Sequence, residues 1–149
     1  MRILIQEVLE AKVTIDNEVV GQIEKGEVLF VGFTDQDDID LARKMIDKLL
    51  KLRIFPDEEG KTNATLEQWK GSILCVSQFT LYADASKGNR PSFVKAMAPV
   101  ESKPLYDEFC KILSERRPDT KYGVFGADMK VSLVNNGPFT ILLDSKELF

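Results

Sequence analysis

The sequence predicts one mixed α/β domain, residues 1–149, with largely antiparallel strands and two main helices. Its 149 residues suffice for one domain with a single sizeable core. The apolar share of 44% and the charged share of 30% are typical of a globular protein. Segments rich in β-branched residues alternate with two stretches of helical periodicity, and no repeat or linker separates them.

The first third of the chain has the pattern of strands joined by short turns. The predicted strands are Arg2–Val8, Ala11–Ile15, Val19–Ile23 and Val28–Phe33. Asp16–Glu18 and Glu24–Gly26 are predicted turns because they are polar and interrupt apolar runs.

A helix is predicted next, starting from a capping box formed by Thr34 and Asp37. Its core-facing stripe has helical spacing. The stripe comprises Leu41, Ala42, Met45, Ile46, Leu49 and Leu52. A second helix is predicted over about Lys103–Arg116, closed by Pro118.

The rest of the chain predicts a loop over Pro56–Lys61 and a central strand over Ser72–Phe79. Two final strands are predicted near Met129–Val134 and Phe139–Leu143. Asn135-Asn136-Gly137-Pro138 between them is typical of a turn.

Composition excludes several kinds of catalysis. The chain has no histidine, which excludes a Ser-His-Asp triad, a Cys-His dyad and the HExxH zinc motif. Cys75 and Cys110 are too few and too far apart for a metal or disulfide framework, so we expect buried free thiols. No apolar run is long enough to span a membrane, and the first residues do not resemble a signal peptide. We therefore expect a cytoplasmic protein without a metal or cofactor.

The charge pattern argues against indiscriminate nucleic-acid binding, since the net charge is -4 and the pI about 5.0. One stretch departs from this acidic average. Lys87, Arg90 and Lys95 lie in a segment without acidic residues. These side chains are candidates to hold a phosphate backbone, although the sequence alone favours a solvated surface.

Three segments contain more polar or glycine residues than a core requires. Ser77-Gln78-Phe79-Thr80-Leu81 ends a buried strand, where its Ser and Thr side chains can satisfy backbone groups. Alternatively, free backbone N–H groups there hold a developing oxyanion, and Thr80 and Gln78 offer a hydroxyl and an amide to a reacting ester. Asn135-Asn136-Gly137-Pro138-Phe139-Thr140 is either a plain turn or, through a cis Gly-Pro bond, a device that aims carbonyls. Gly123–Met129 allows close backbone approach or forms a β-bulge.

Together these segments resemble the D-aminoacyl-tRNA deacylase family. The first two are similar to its two signature motifs. Further matches lie at Leu52–Phe55 with Asp57, Gly60, Lys61 and Asn63, at Gly88–Phe93 and at Gly123–Met129.

The resemblance implies a three-layer α/β/β fold, a homodimer and aminoacylated tRNA as the substrate. It implies catalysis at Ser77, Gln78, Phe79 and Thr80, with the tRNA ribose 2′-hydroxyl assisting. Gly137 and Pro138 of the second subunit would admit D-residues or glycine and exclude L-residues. The resemblance also makes Phe125, Gly126 and Met129 candidates to bind the terminal adenosine. Lys87, Arg90 and Lys95 are candidates to bind the acceptor stem.

Three positions depart from the family pattern. Glu7 stands where arginine is common, Asn136 where aspartate is usual and Phe139 where valine is usual. An arginine at position 7 would help brace the Gly-Pro pair. Two rival functions remain. One is a non-catalytic nucleic-acid-binding dimer. The other is a related deacylase for small L-residues, but deacylases of that kind alter the Ser77–Leu81 motif, which is intact here.

Overall fold

The computed structural model describes residues 1–149, which form eight strands, four α-helices and one 3-10 helix. The strands are β1 (Arg2–Ile15), β2 (Glu18–Ile23), β3 (Gly26–Gly32), β4 (Phe55–Pro56), β5 (Thr62–Ala64), β6 (Ser72–Ser77), β7 (Lys121–Tyr122) and β8 (Lys130–Asp144). The α-helices are α1 (Ile39–Leu50), α2 (Leu66–Trp69), α3 (Pro99–Arg116) and α4 (Ser145–Leu148), and the 3-10 helix spans Phe79–Tyr82. No helix is both long and apolar enough to cross a membrane.

Strand β1 organises the main sheet because it pairs with three other strands. Along one edge, its first half pairs antiparallel with β3 and its second half with β2. Along the other edge it pairs antiparallel with β8 over nearly its whole length. Strands β3, β6 and β7 are parallel to one another, so the sheet is mixed as predicted.

Two separate apolar cores explain the layering. The larger comprises 21 buried residues, among them Ile3, Leu29, Met45 and Phe109, and lies between the sheet and helices α1 and α3. The smaller comprises seven buried residues, including Val13 and others of β1, β2, β3 and β6, inside the curl of the sheet. A helical layer and two layers of sheet result, which confirms the predicted α/β fold.

Both main helices are confirmed, but each begins elsewhere than predicted. Helix α1 is capped by Asp38, whose Oδ1 accepts a hydrogen bond from the Leu41 amide at 2.8 Å. Thr34 and Asp37 instead bond to each other in the preceding turn. Helix α3 begins at Pro99, since a proline in the first turn forfeits no intrahelical hydrogen bond.

The predicted division of the first and last strands is wrong. Strand β1 continues through residues 9 and 10, and β8 runs from Lys130 to Asp144 without reversing. The Pro56–Lys61 loop is confirmed as the tip of a small hairpin formed by β4 and β5. The central strand β6 ends at Ser77, two residues earlier than predicted.

Two glutamates face each other inside the sheet. Glu7 of β1 and Glu27 of β3 are register partners and are only 4% and 2% exposed. Burial raises the pKa of Glu27 to about 8, opposed in part by the charge of Arg117. Burial also raises the pKa of Glu7, opposed in part by a hydrogen bond from Asn136. This part of the core therefore favours protonated carboxyls.

We expect Glu27→Gln to change how the free energy of unfolding depends on pH. The folded chain keeps a proton on Glu27 up to about pH 8, whereas the unfolded chain loses it near about pH 4.3. Wild-type stability therefore falls as pH rises through this window, and the uncharged amide of the variant removes that contribution. Urea unfolding should show the variant gaining on the order of 1–3 kcal/mol over wild type between about pH 5 and pH 8. Parallel pH profiles would contradict the assignment.

Candidate active site

The carboxyl end of β6 is where the chain leaves the sheet. The Gln78 amide donates to the Val31 carbonyl at 2.7 Å, and the 3-10 helix begins at the next residue. Ser77 and Gln78 are half-buried, whereas Phe79 and Thr80 are exposed. The Gln78 side-chain amide donates to the Thr80 hydroxyl. The strand end thus presents three polar side chains around one turn.

A cavity of about 630 Å³ opens at this strand end. It brings together six of the residues predicted from the sequence: Ser77, Gln78, Phe79, Phe125, Gly126 and Met129. Thr80 lies beside the cavity without lining it. Most of the remaining wall is apolar and comes from β3, the loop before α3 and the first turn of α3. A cavity of this size and character suits a small organic group with a few polar anchors.

Ionisable groups are nearly absent from this cavity. Asp128 is the only ionisable residue in its wall, and the Lys130 ammonium pairs with that carboxylate at 2.9 Å. No group of three or more carboxylate or thiol side chains is placed to hold a metal ion. The wall therefore offers hydroxyls, an amide and backbone groups, and no free general base near the strand end.

The segment from Gly123 to Met129 closes one wall of the cavity. It forms a turn, in which the Ala127 amide donates to the Val124 carbonyl at 3.2 Å and Gly126 has φ +76°. A Cβ atom on Gly123 would lie 2.5 Å from the Met129 sulfur. The Gly126 position favours glycine through its positive φ, whereas a larger residue at Gly123 would displace the Met129 side chain from the cavity wall. The segment is a turn between β7 and β8 instead of a β-bulge.

The loop that carries Lys87, Arg90 and Lys95, called here the basic loop, lies at the cavity, and its three cations have two different roles. Lys87 and Arg90 are exposed at a tip closed by reciprocal backbone hydrogen bonds of 2.8 Å between Asp84 and Ser92. Lys95 instead pairs with Asp84 at 2.8 Å, and this contact holds the pKa of Asp84 below its usual range. Lys95 thus braces the loop, while Lys87 and Arg90 form no ion pair.

An aromatic pair lies at the rim of the cavity. Phe93 from the basic loop packs edge-to-face on Phe79, with ring centroids 5.3 Å apart. Both rings are about half exposed. The sequence motifs gave no sign of this pairing, because it depends on how the loop folds back over the strand end.

The Gly137–Pro138 segment is a bulge within β8. Gln6 pairs with Thr140, and Val8 pairs with Asn135, so residues 136–139 stand opposite Glu7 alone. The Gly137-Pro138 bond is cis, Gly137 has φ +130°, and both residues are exposed. The predicted turn is therefore wrong, since the strand continues past the bulge. Neither residue lines the cavity of its own chain.

Side-chain amides fasten this bulge at both ends. Asn135 accepts from the Phe139 amide at 2.9 Å and donates to the Thr140 hydroxyl at 3.1 Å. The Asn136 amide donates to the Glu7 carboxyl at 2.7 Å. The contacts of Asn135 lie within β8 itself, whereas the contact between Asn136 and Glu7 depends on the register between β1 and β8.

Comparison with known proteins gives a consistent result over nearly the whole chain. Residues 4–144 match the family model described as D-Tyr-tRNA(Tyr) deacylase. A D-aminoacyl-tRNA deacylase of Lactobacillus gasseri is 54% identical over 144 residues, covering 97% of this chain and 99% of the relative. A D-aminoacyl-tRNA deacylase of Fusobacterium nucleatum is 47% identical over 147 residues, covering 99% and 97%.

Two solved structures share the fold. One, described as c-Myc DNA Unwinding Element Binding Protein, has a TM-score of 0.92 and 37% identity, and the match covers 97% of this chain and 98% of that chain. The other, described as a probable eukaryotic D-amino acid tRNA deacylase, has a TM-score of 0.83, with coverage of 95% and 97%. Its 21% identity supports the fold alone.

Proposed function

Because the chain belongs to the D-Tyr-tRNA(Tyr) deacylase family, we propose that it hydrolyses the ester bond of D-aminoacyl-tRNA and releases the D-amino acid and free tRNA. The observation that carries the proposal is the cavity at the end of β6, where the strand-end motif and the Gly123–Met129 turn meet. Aminoacyl-tRNA is a cytoplasmic substrate, so we place the protein there.

The proposed reaction proceeds by orientation and charge stabilisation without a protein base. Water adds to the ester carbonyl, and the ribose oxygen leaves as a hydroxyl of the tRNA. The neighbouring ribose 2′-hydroxyl assists this attack, and backbone N–H groups at the strand end stabilise the oxyanion. Correct placement alone lowers a barrier by up to roughly 7–11 kcal/mol. The substrate's own α-ammonium group further activates the ester.

Thr80 is the competing candidate for a covalent nucleophile. Its hydroxyl accepts a hydrogen bond from Gln78, and no side chain takes the hydroxyl proton. A hydroxyl without a base is a weak nucleophile. We therefore assign Thr80 and Gln78 to positioning.

Chirality is selected, in this proposal, by Gly137 and Pro138 of a second subunit. Both residues are exposed in the single chain and lie outside its own cavity, as an element that serves a partner must. Their carbonyls would bind the α-ammonium group and crowd the direction of an L side chain. A D side chain points elsewhere and glycine has none, so glycine on a non-cognate tRNA is also a proposed substrate.

Strand β8 supports self-association, because β1 covers only one of its edges. Val134 and Leu142 on this strand are 45% and 49% exposed. Apolar side chains on a free strand edge favour pairing with another copy. A two-fold dimer would exchange the two bulges reciprocally.

Contacts with the tRNA follow from the surroundings of the cavity. Phe125, Gly126 and Met129 are proposed to hold the terminal adenosine, next to the exposed ring of Phe79. Lys87 and Arg90 are free to attract the phosphates of the acceptor stem. The sequence predicts the same role for Lys95. This residue contributes indirectly, because its ion pair with Asp84 braces the loop that carries Lys87 and Arg90.

A non-catalytic nucleic-acid-binding dimer is the second candidate, favoured by the description of one similar structure as a DNA unwinding element binding protein. The net charge of -4 argues against it. Binding of duplex DNA without hydrolysis of any D-aminoacyl-tRNA would favour this candidate. A deacylase for small L-residues would instead hydrolyse L-Ala-tRNA.

The purified protein should hydrolyse D-Tyr-tRNA and D-Asp-tRNA while sparing L-Tyr-tRNA. The proposed filter reads backbone chirality, so the identity of the side chain matters little. Release of labelled amino acid from matched D and L substrates measures this. Comparable rates for D-Tyr-tRNA and L-Tyr-tRNA would exclude the filter.

Thr80→Ala should retain a substantial part of the activity, because no base activates that hydroxyl. Replacing the terminal ribose 2′-hydroxyl by hydrogen should be far more damaging, on the order of 100-fold or more in kcat, as expected for a group that assists proton transfer. Single-turnover hydrolysis of D-Tyr-tRNA compares the two changes. A trapped acyl ester on Thr80 would reverse the assignment.

Gly137→Ala should lower selectivity or activity out of proportion to one methyl group. Gly137 has φ +130°, and a Cβ atom there would lie 3.1 Å from the Phe139 nitrogen. The bulge must therefore shift to accept alanine. The ratio of D-Tyr-tRNA to L-Tyr-tRNA hydrolysis measures the effect.

The same variant tests whether the filter acts in trans. Mixed with a chain inactivated at the cavity, such as Gln78→Ala once its loss of activity has been measured alone, it should form heterodimers that each contain one intact pair of cavity and bulge. With random exchange, about one quarter of the sites are restored. Recovery of no activity after exchange would mean that each chain uses its own bulge.

A further inference from the structure

Glu7 is a buried carboxyl that the proposed chemistry leaves unused. It lies in the middle of β1, is 4% exposed, and stands on the same face as Ile3 and Ile5 of the larger core. An apolar residue would suit this position better, because burying a carboxyl without an ion pair is unfavourable. No cation pairs with Glu7, and the group opposite it on β3 is a second buried carboxyl, Glu27.

The contact made by Glu7 explains why a carboxyl is kept there. Glu7 is the residue opposite the four-residue bulge of β8, and its Oε1 accepts from the Asn136 Nδ2 at 2.7 Å. This is the only side-chain hydrogen bond that joins residues 136–139 to β1. The bond links residues 129 positions apart in the chain, so it ties the bulge to the centre of the sheet.

The other residues of the bulge cannot make such a tie. Gly137 has no side chain, and Pro138 has no backbone N–H group. Phe139 donates its amide to Asn135, which closes the base of the bulge on β8 itself. That closure fixes the two ends of the bulge relative to each other. The Phe139 side chain packs against the larger core, and the Glu7–Asn136 contact adds the only side-chain hydrogen bond that ties residues 136–139 to β1.

We infer that Glu7 and Asn136 form a latch that holds Gly137 and Pro138 in the position in which they read the substrate, which makes Glu7 a positioning residue. The inference rests on the proposed role of that pair as the chirality filter. The latch acts on selectivity because a carbonyl displaced by a fraction of an ångström crowds the wrong direction. It acts through Asn136, and Glu7 itself touches no substrate.

The acceptor oxygen of Glu7 is the functional part of the side chain. Oε1 accepts the hydrogen bond whether or not the carboxyl is ionised. Glu7→Gln preserves a carbonyl oxygen in the same place, and Glu7→Ala removes it. Asn136→Ala breaks the latch from its half-exposed end, so it removes the contact without opening a hole in the core.

Glu27→Ala is the matched control. Glu27 is the register partner of Glu7, is equally buried, and makes no contact with the bulge. Loss of either carboxyl should change the free energy of unfolding, measured in urea. Loss of Glu7 alone should change the ratio of D-Tyr-tRNA to L-Tyr-tRNA hydrolysis.

We expect Glu7→Ala and Asn136→Ala each to lower that ratio by roughly 10- to 100-fold, the effect of losing one hydrogen bond to a buried carboxyl. The double variant should be no worse than either single variant, because both remove one contact. Glu7→Gln should stay within about threefold of wild type. A ratio unchanged in Asn136→Ala, a drop of equal size in Glu27→Ala, or a Glu7→Gln variant as poor as Glu7→Ala would each overturn the latch.

Amide hydrogen exchange separates failure of the latch from failure of the proposed function. Exchange at the amides of residues 136, 137 and 139 should accelerate in Asn136→Ala and Glu7→Ala and stay at the wild-type rate in Glu27→Ala. If the wild-type protein hydrolyses no D-aminoacyl-tRNA, the proposed function fails, and accelerated exchange still supports the latch. Unchanged exchange in both latch variants overturns it whatever the activity.

Discussion

The antiparallel pairing of β1 with β8 is the constraint on which the rest of the structure depends. Two long strands that pair over nearly their whole length form a stiff ribbon, and this ribbon takes part in both cores. Its one large irregularity lies opposite Glu7, where four residues of β8 face one residue of β1. A bulge anchored at both ends in a continuous ladder has little freedom to slide, so Gly137 and Pro138 project from a rigid base.

The cavity at the end of β6 arises from a different physical constraint, the burial of that strand. Strand β6 is buried on both faces, because Ile73 and Cys75 enter the larger core and Leu74 and Val76 the smaller one. Polar side chains are therefore tolerated only where the strand ends. The 3-10 helix begins there and leaves N–H groups without intrahelical partners in its first turn. A site built this way supplies fixed dipoles and no titrating base. It suits a substrate that is already activated, for which placement is the main requirement.

Local patterns predicted most of the fold. Ala42, Met45, Ile46 and Leu49 of the predicted stripe are buried in α1, and the apolar run of β3 is a covered central strand, because both depend on residues close in sequence. Asn135–Pro138 predicted a turn because these residues favour turns locally, yet the register with β1 keeps the strand continuous. The clustering of Ser77 with Phe125 was accessible only through the family resemblance, and the ion pair of Lys95 only through the structure.

Positions 7 and 136 show why a contact between two residues is difficult to predict when each position is considered separately. Taken alone, Glu7 in place of arginine removes a donor that would brace the bulge, and Asn136 in place of aspartate removes a charge. Taken together, the two residues form a hydrogen bond in which the bulge donates and β1 accepts. A carboxyl acceptor has a physical advantage at this buried position. An arginine would bring a full charge that cannot be neutralised by losing its proton, whereas a carboxyl with a raised pKa is neutral more readily in the core. Glu27 faces Glu7 across the sheet, and its pKa, raised to about 8, keeps its carboxyl neutral in the core as well.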